Sequence, residues 1–151
     1  GKLKAIVTQN IDGLHQAAGS KNVFELHGST LRNYCMNCHE PYDIDFIAAS
    51  ADAPDGIPHC TKCGGIVKPD VVLYEENLDE NCIEGAINAI READMLIIGG
   101  TSLTVYPAAG LIDYYHGDRL VLINKSTTAG DLAARLIIHD SIGKVLSRIH
   151  V

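Results

Sequence analysis

The sequence predicts an α/β protein: a Rossmann-like open parallel sheet, incomplete because its first βα unit is missing, with a small zinc-binding module inserted. Three observations predict it. After residue 70, short apolar runs alternate with helix-like stretches, the pattern of parallel strands buried on both faces and connected by helices. Between residues 31 and 67 the texture changes to paired cysteines set among prolines and glycines. The chain also enters an apolar run at Leu3 without the glycine-rich turn that usually opens a nucleotide-binding domain of this type.

Leu3 to Val7 (LKAIV) reads as a buried strand, followed by the polar turn Thr8-Gln9-Asn10-Ile11-Asp12-Gly13. Residues 14–18 form a short helix closed by Gly19, and Val23 to Leu26 is a second apolar stretch before His27-Gly28. Within the inserted module, Tyr42 to Ala51 holds a helical turn. Val71-Val72-Leu73-Tyr74 reads as a buried strand ending in the acidic turn Glu75-Glu76. Ile83, Ala86, Ile87 and Ile90 recur at three- and four-residue spacing, which predicts an amphipathic helix over 79–93. Met95 to Ile98 is an apolar strand running into Gly99-Gly100-Thr101-Ser102. Pro107 to Tyr115 reads as a helix, with Pro107 suited to its first turn. Leu120 to Ile123 is the next strand, Ala129 to Arg135 a helix, Leu136 to Ile138 a strand and Ile142 to Ile149 a last helix. This divides the chain into a Rossmann-like domain, residues 1–30 with 68–151, and a module at 31–67.

A chain of 151 residues suits one domain with a small insertion. It can bury roughly two-thirds of its unfolded surface. Its 46% hydrophobic and 21% charged residues are those of an ordinary globular protein. A net charge of −7 excludes broad nucleic-acid binding, which needs clustered positive charge. No run is long and apolar enough to cross a membrane and no stretch reads as a signal peptide. Five cysteines, four of them in two C-x-x-C pairs and Cys82 alone, point to metal binding in a reducing compartment, with the cytoplasm as the expected place.

The cysteines give the strongest signal. Cys35-x2-Cys38 and Cys60-x2-Cys63 stand 21 residues apart, just outside the common spacing of about 15–20. Each pair puts two thiolates on one tight turn, and two such turns close a tetrahedron around Zn2+. With all four positions filled by protein, the metal is structural. His39 and His59 flank the pairs, but four thiolates make them unnecessary as ligands.

Two readings fit Gln9-Asn10-Ile11-Asp12. It is a good turn sequence, and it also sets amide and carboxylate groups at a strand's carboxyl end, where ligands of open α/β sheets lie. His27, beside an apolar stretch, is either a general base or a histidine bonded within a loop. Gly99-Gly100-Thr101-Ser102 and Asn124-Lys125 either cap strands or hold phosphate and ribose. The spaced Gly-Lys-Ser/Thr of a P-loop is absent. His15, His116, His139 and His150 are scattered and have no assigned role, and Cys82 is a packing or surface thiol.

Taken in order, Thr8-Gln9-Asn10-Ile11-Asp12, Phe24-Glu25-Leu26-His27-Gly28, the two C-x-x-C pairs, Lys68-Pro69-Asp70-Val71-Val72, Gly100-Thr101-Ser102-Leu103, Val105-Tyr106-Pro107-Ala108-Ala109 and Ile123-Asn124 resemble a sirtuin of the bacterial type over nearly the whole chain. The resemblance implies an NAD-dependent protein-lysine deacylase. In that reaction the acyl oxygen attacks C1′ of the nicotinamide ribose, nicotinamide leaves, and a histidine base activates a ribose hydroxyl so that the acyl group passes to ADP-ribose. Carried over, His27 is the base. Gln9, Asn10, Ile11 and Asp12 line the nicotinamide and ribose pocket, with Asn10 also catalytic. Gly100, Thr101 and Ser102 meet the phosphates and adenosine side, Asn124, Lys125 and Ser126 the adenosine ribose, and Ser141 and Ile142 the adenine. An acyl-lysine peptide pairs as a strand between Val72-Leu73-Tyr74 and Thr104-Val105, with Val72, Tyr74 and Val105 forming the lysine tunnel. The expected partners are acylated lysine peptides or proteins, and either a complementing N-terminal segment or a second copy in a homo-oligomer.

Two departures from the family pattern carry expectations. Glu75-Glu76 follows Tyr74 where the family carries Gly-Glu; if that glycine takes a positive φ, Glu75 is strained there, and the turn is expected to survive with altered shape. The family's glycine-rich phosphate loop, Arg-bearing cofactor loop and first strand do not precede Leu3. The expectation is a truncated or cleaved product, or one part of a complex, with weak or no NAD binding alone and a groove where the strand would lie. Protein ADP-ribosyl transfer on the same fold, or a non-enzymatic zinc and partner-binding fragment, are the competing readings.

Overall fold

The computed structural model describes residues 2–149; Gly1, Val151 and His150, the last among the histidines assigned no role, lie outside them. The chain divides into two compact units between Ile83 and Glu84.

In the first unit, β1 (Ile6–Thr8) pairs in parallel with β2 (Val23–Glu25) around the short helix α1 (Leu14–Ala17). The strand expected at Leu3–Val7 is thus shifted and shorter. A three-stranded antiparallel sheet follows, ordered β4 (Pro41–Tyr42), β3 (Gly28–Cys35), β5 (Val67–Val71). Sequence reading does not anticipate β3, because the alternation of this polar stretch is broken by a register shift between Ser29 and Asn33. Helix α2 (Ile44–Ser50) starts at Asp43, whose carboxylate accepts from the Phe46 amide at 2.9 Å, an N-cap satisfying one open donor.

The run 71–74, expected as a buried strand, leaves the sheet after Val71. The Val72 amide donates to the His27 carbonyl at 3.1 Å, and the chain then turns through Glu75 at φ 70°. Glu75 thus takes the left-handed conformation that strains a residue with a Cβ. Tyr74 is consequently 98% exposed.

Helix α3 (Glu80–Arg91) begins where Asp79 accepts the Cys82 amide at 2.7 Å and buries Ala86 and Ile90, one face of the expected amphipathic helix. The second unit holds a three-stranded parallel sheet of β6 (Leu96–Gly99), β7 (Leu120–Ile123) and β8 (Leu136–Ile138), ordered β6-β7-β8. Only the middle strand meets the expectation of near-complete burial. Leu120, Leu122 and Ile123 of β7 are buried, whereas Ile97 on β6 and Leu136 on β8 are about half exposed, because each edge strand has a single neighbour. The helices expected at 107–115 and 129–135 are 3-10 turns, at Ala108–Tyr114 and Ala129–Leu132. The second is closed by a reciprocal Thr128–Asp131 capping box, which suits a short turn better than a propagating helix. Helix α4 (Ile142–Leu146) follows.

The joint between β3 and β5 is tight. Gly28 sits at φ 76° and a Cβ there would overlap the Asp70 carbonyl oxygen. Gly28→Ala is therefore expected to destabilise the first unit by at least about 2 kcal/mol, from left-handed strain plus the backbone clash; the midpoint of urea unfolding measures it.

Candidate functional site

All five cysteines are free. The sulfurs of Cys35, Cys38, Cys60 and Cys63 lie within 4.8 Å of one another. The separations are 3.5 Å for Cys35–Cys63, 3.6 Å for Cys38–Cys60 and 3.4 Å for Cys38–Cys63. A zinc–sulfur bond of about 2.3 Å places the sulfurs of a regular tetrahedron about 3.8 Å apart, so the four side chains fit a zinc ion with small adjustment. Cys35 and Cys60 are buried and packed with Val67, Tyr42, Phe46 and Ile47, while Cys63 is exposed. His39 is exposed, and His59 is held by the Asp55 carboxylate at 2.8 Å; neither belongs to the cluster.

The cluster's electrostatics show why it needs a cation. A hydrogen bond from Tyr42 pulls the Cys60 thiol down to about 6. The Gly65 amide favours a Cys63 thiolate, yet the neighbouring Cys38 and Cys35 sulfurs push that thiol up to about 12. Four thiolates coexist here only around a metal. One zinc per chain is expected by elemental analysis. Cys60→Ser is expected to lose it, and acidification to release it as the thiolates take up protons.

The segment Gln9–Asp12 is pinned from β3 and the residue before it. The Thr30 amide and hydroxyl both donate to the Ile11 carbonyl, at 3.0 and 3.1 Å. His27 Nδ1 lies 3.1 Å from the Gln9 carbonyl oxygen. A carbonyl only accepts, so Nδ1 carries the proton of this hydrogen bond. Asn10 and Asp12 are exposed beyond these anchors, with the Asn10 amide bonded to Thr8 Oγ1 at 3.1 Å and Asp12 Oδ1 accepting the Leu14 amide at 3.0 Å. The structure thus brings His27 and the Gln9–Asp12 turn together in the first unit. Val72, Leu73 and Tyr74 belong to the same unit, with Leu73 and Tyr74 exposed.

In the second unit a cavity of about 740 Å³ opens at the carboxyl ends of β6, β7 and β8, where open α/β sheets bind ligands. Gly100, Thr101, Ser102, Asn124, Lys125, Ser126, Ser141 and Ile142, all singled out in the sequence, line it. Thr127, Thr128 and Asp140 line it too and were missed; the position of Asp140 just past the LII strand was the available signal. Val105 is half exposed and lies outside this lining. Asn124 is buried, and its amide is turned inward. Oδ1 accepts the Thr101 amide at 3.1 Å and Nδ2 donates to the Thr101 carbonyl at 2.6 Å. It therefore ties the end of β7 to the loop after β6.

The cavity's rim rests on Asp131. Its carboxyl is held below the usual range by the Thr128 amide and hydroxyl, with His139 adding attraction. A depressed carboxyl stabilises above its ordinary value, about 3.9, and that contribution is lost as pH falls through the lower folded value. Acid unfolding of this loop is expected below about pH 4, and Asp131→Asn is expected to flatten it; amide exchange of residues 125–131 against pH reports both.

The Sir2 family profile matches residues 1–107: the chain belongs to the Sir2 family, and its α/β fold with a four-cysteine cluster is that of a sirtuin. It is 72% identical over 150 residues to an NAD-dependent protein deacetylase of Clostridium perfringens (strain 13 / Type A), covering 99% of this chain and 60% of that protein. It is 65% identical over 149 residues to one from Clostridium acetobutylicum, again covering 99% and 60%. A solved structure described as Sir2-p53 peptide-NAD+ superposes with a TM-score of 0.89 at 36% identity, over 96% of this chain and 61% of that one. A Sir2 bound to acetylated peptide gives 0.89 and 36%, over 96% and 61%. The chain thus spans about 60% of the length of the curated relatives it matches.

Proposed function

We propose that the protein to which this chain belongs is an NAD-dependent protein-lysine deacylase, a deacetylase, of the cytoplasm. The observation that carries the reading is the state of His27. Its Nδ1 is committed to the Gln9 carbonyl, which leaves Nε2 able to take a proton from a ribose hydroxyl. The family and its relatives' names supply the chemistry for which such a base is suited.

NAD, when bound, supplies the acyl acceptor and releases nicotinamide. Gln9, Asn10, Ile11 and Asp12 hold its nicotinamide ribose end. Gly100, Thr101 and Ser102 serve the phosphates, Gly100 by leaving room at its Cα and Thr101 and Ser102 through their hydroxyls, and Lys125 and Ser126 serve the adenosine ribose. Ser141 and Ile142 flank the adenine. Asn124 acts by fixing Thr101, with which it exchanges two hydrogen bonds. Acylated lysine peptides or proteins are the partners, held by backbone pairing to Val72, Leu73, Tyr74 and Val105, with residues 31–67 as the zinc module beside the Rossmann-like domain.

His27→Ala in the full-length protein is expected to lower acyl-lysine turnover by about 100-fold or more with zinc content unchanged. Turnover near the wild-type level would sink the reading. Nicotinamide release without any acylated peptide would point instead to ADP-ribosyl transfer.

A further inference from the structure

The cluster's two C-x-x-C turns are joined by one side chain as well as by sulfur. Tyr42 sits on β4, where it pairs with Asn33 of β3, so its backbone is fixed by the strand that carries Cys35. Its ring stacks on Phe46, with centroids 4.2 Å apart. From there the phenol oxygen reaches the second turn. It lies 3.2 Å from Cys60 Sγ, 3.1 Å from Thr61 Oγ1, and accepts the Thr61 amide at 2.8 Å.

The donor inventory fixes the direction of each bond. A phenol has one proton. Thr61 N–H donates into the phenol oxygen, and the Thr61 hydroxyl can do the same. The phenol proton is then free to point at the sulfur, and an O–H accepting two hydrogen bonds is polarised into a stronger donor. Cys35, by contrast, receives a backbone amide, that of Asn37 at 3.4 Å. A backbone donor is present whatever the side chain. The Tyr42 donor depends on one hydroxyl.

We propose that Tyr42 is a positioning residue of the metal centre: its hydroxyl, seated by Thr61, donates to the Cys60 sulfur and locks the second cysteine turn onto the first. Partners of this kind orient metal ligands and hold them against dissociation. This inference goes beyond the deacylase reading and does not rest on it, since it concerns metal retention alone.

Tyr42→Phe keeps the ring and its stacking on Phe46 and removes only the hydroxyl. In the zinc-loaded protein, transfer of zinc to a chelator is expected on the order of 10-fold faster than in the wild type, with the far-ultraviolet circular dichroism unchanged. Alkylation mapped by mass spectrometry should rise at Cys60 relative to Cys35, Cys38 and Cys63. With cobalt in place of zinc, the thiolate-to-metal charge-transfer band should move to lower energy, because a sulfur relieved of a hydrogen bond holds its electrons less tightly. Unchanged release together with an unchanged band would overturn the inference, as would an equal rise in reactivity at all four cysteines, which would mean that the module had merely loosened. A wild-type protein that carries no zinc would overturn the metal centre itself, whatever its activity.

Discussion

Four cysteine sulfurs held within 4.8 Å of one another repel when ionised, and that repulsion makes the module around them depend on a cation. The cluster's core is small: Cys35, Cys60 and Val67 are buried, with Cys38, Tyr42, Phe46 and Ile47 against them. A module of this size has too little apolar surface to hold its shape unaided. Metal ligation, worth on the order of 10 kcal/mol in small zinc modules, supplies the difference. The metal performs no chemistry, because protein fills all four positions.

What the metal fixes is carried elsewhere by β3. This strand starts at Gly28, directly after His27, and ends at Cys35, a span of about 23 Å at ordinary strand rise. On its way it supplies Thr30 to the Ile11 carbonyl. It also supplies Arg32, whose guanidinium bridges Glu25 of β2 at 2.7 Å and Asp70 of β5 at 2.9 Å. The exposed pair with Asp70 alone is worth little, while the Glu25 carboxylate is buried. The fork ties three strands at one point, on the strand that begins directly after the residue proposed as base. Zinc module and imidazole are thus two ends of one element.

The second unit solves a different problem. A cavity at the ends of parallel strands needs loops that hold their shape without strands to pair with. Asn124 does this from β7 by copying a backbone partner: it exchanges two hydrogen bonds with Thr101. Its own amide reaches the Ile138 carbonyl of β8 at 3.1 Å. One buried side chain and its backbone therefore link all three strand ends. Asp131 holds the far rim through Thr128.

Local chemistry made much of this legible in the sequence. Paired C-x-x-C spacing specifies two tight thiolate turns, and the apolar runs of β7 and β8 specify strands, because both signals are carried by adjacent residues. Glu75 in a glycine's place marked that turn as a point of strain for the same reason. The ordered set of motifs identified the family; Gly100–Ser102 and Asn124-Lys125 of the cavity lining stood out as strand ends, while Ser126, Ser141 and Ile142 came from the resemblance. The tertiary structure alone decided what depends on partners distant in the chain. The bulged strand β3 exists because β5 pairs with it 32 to 43 residues on. Residues 73 and 74 turn away after a last backbone bond from the Val72 amide to the His27 carbonyl. Asn124 turns inward because Thr101 is waiting for it, and the proton of His27 sits on Nδ1 because the Gln9 carbonyl faces it. A sequence names which groups can bond; only the fold brings a donor to its acceptor.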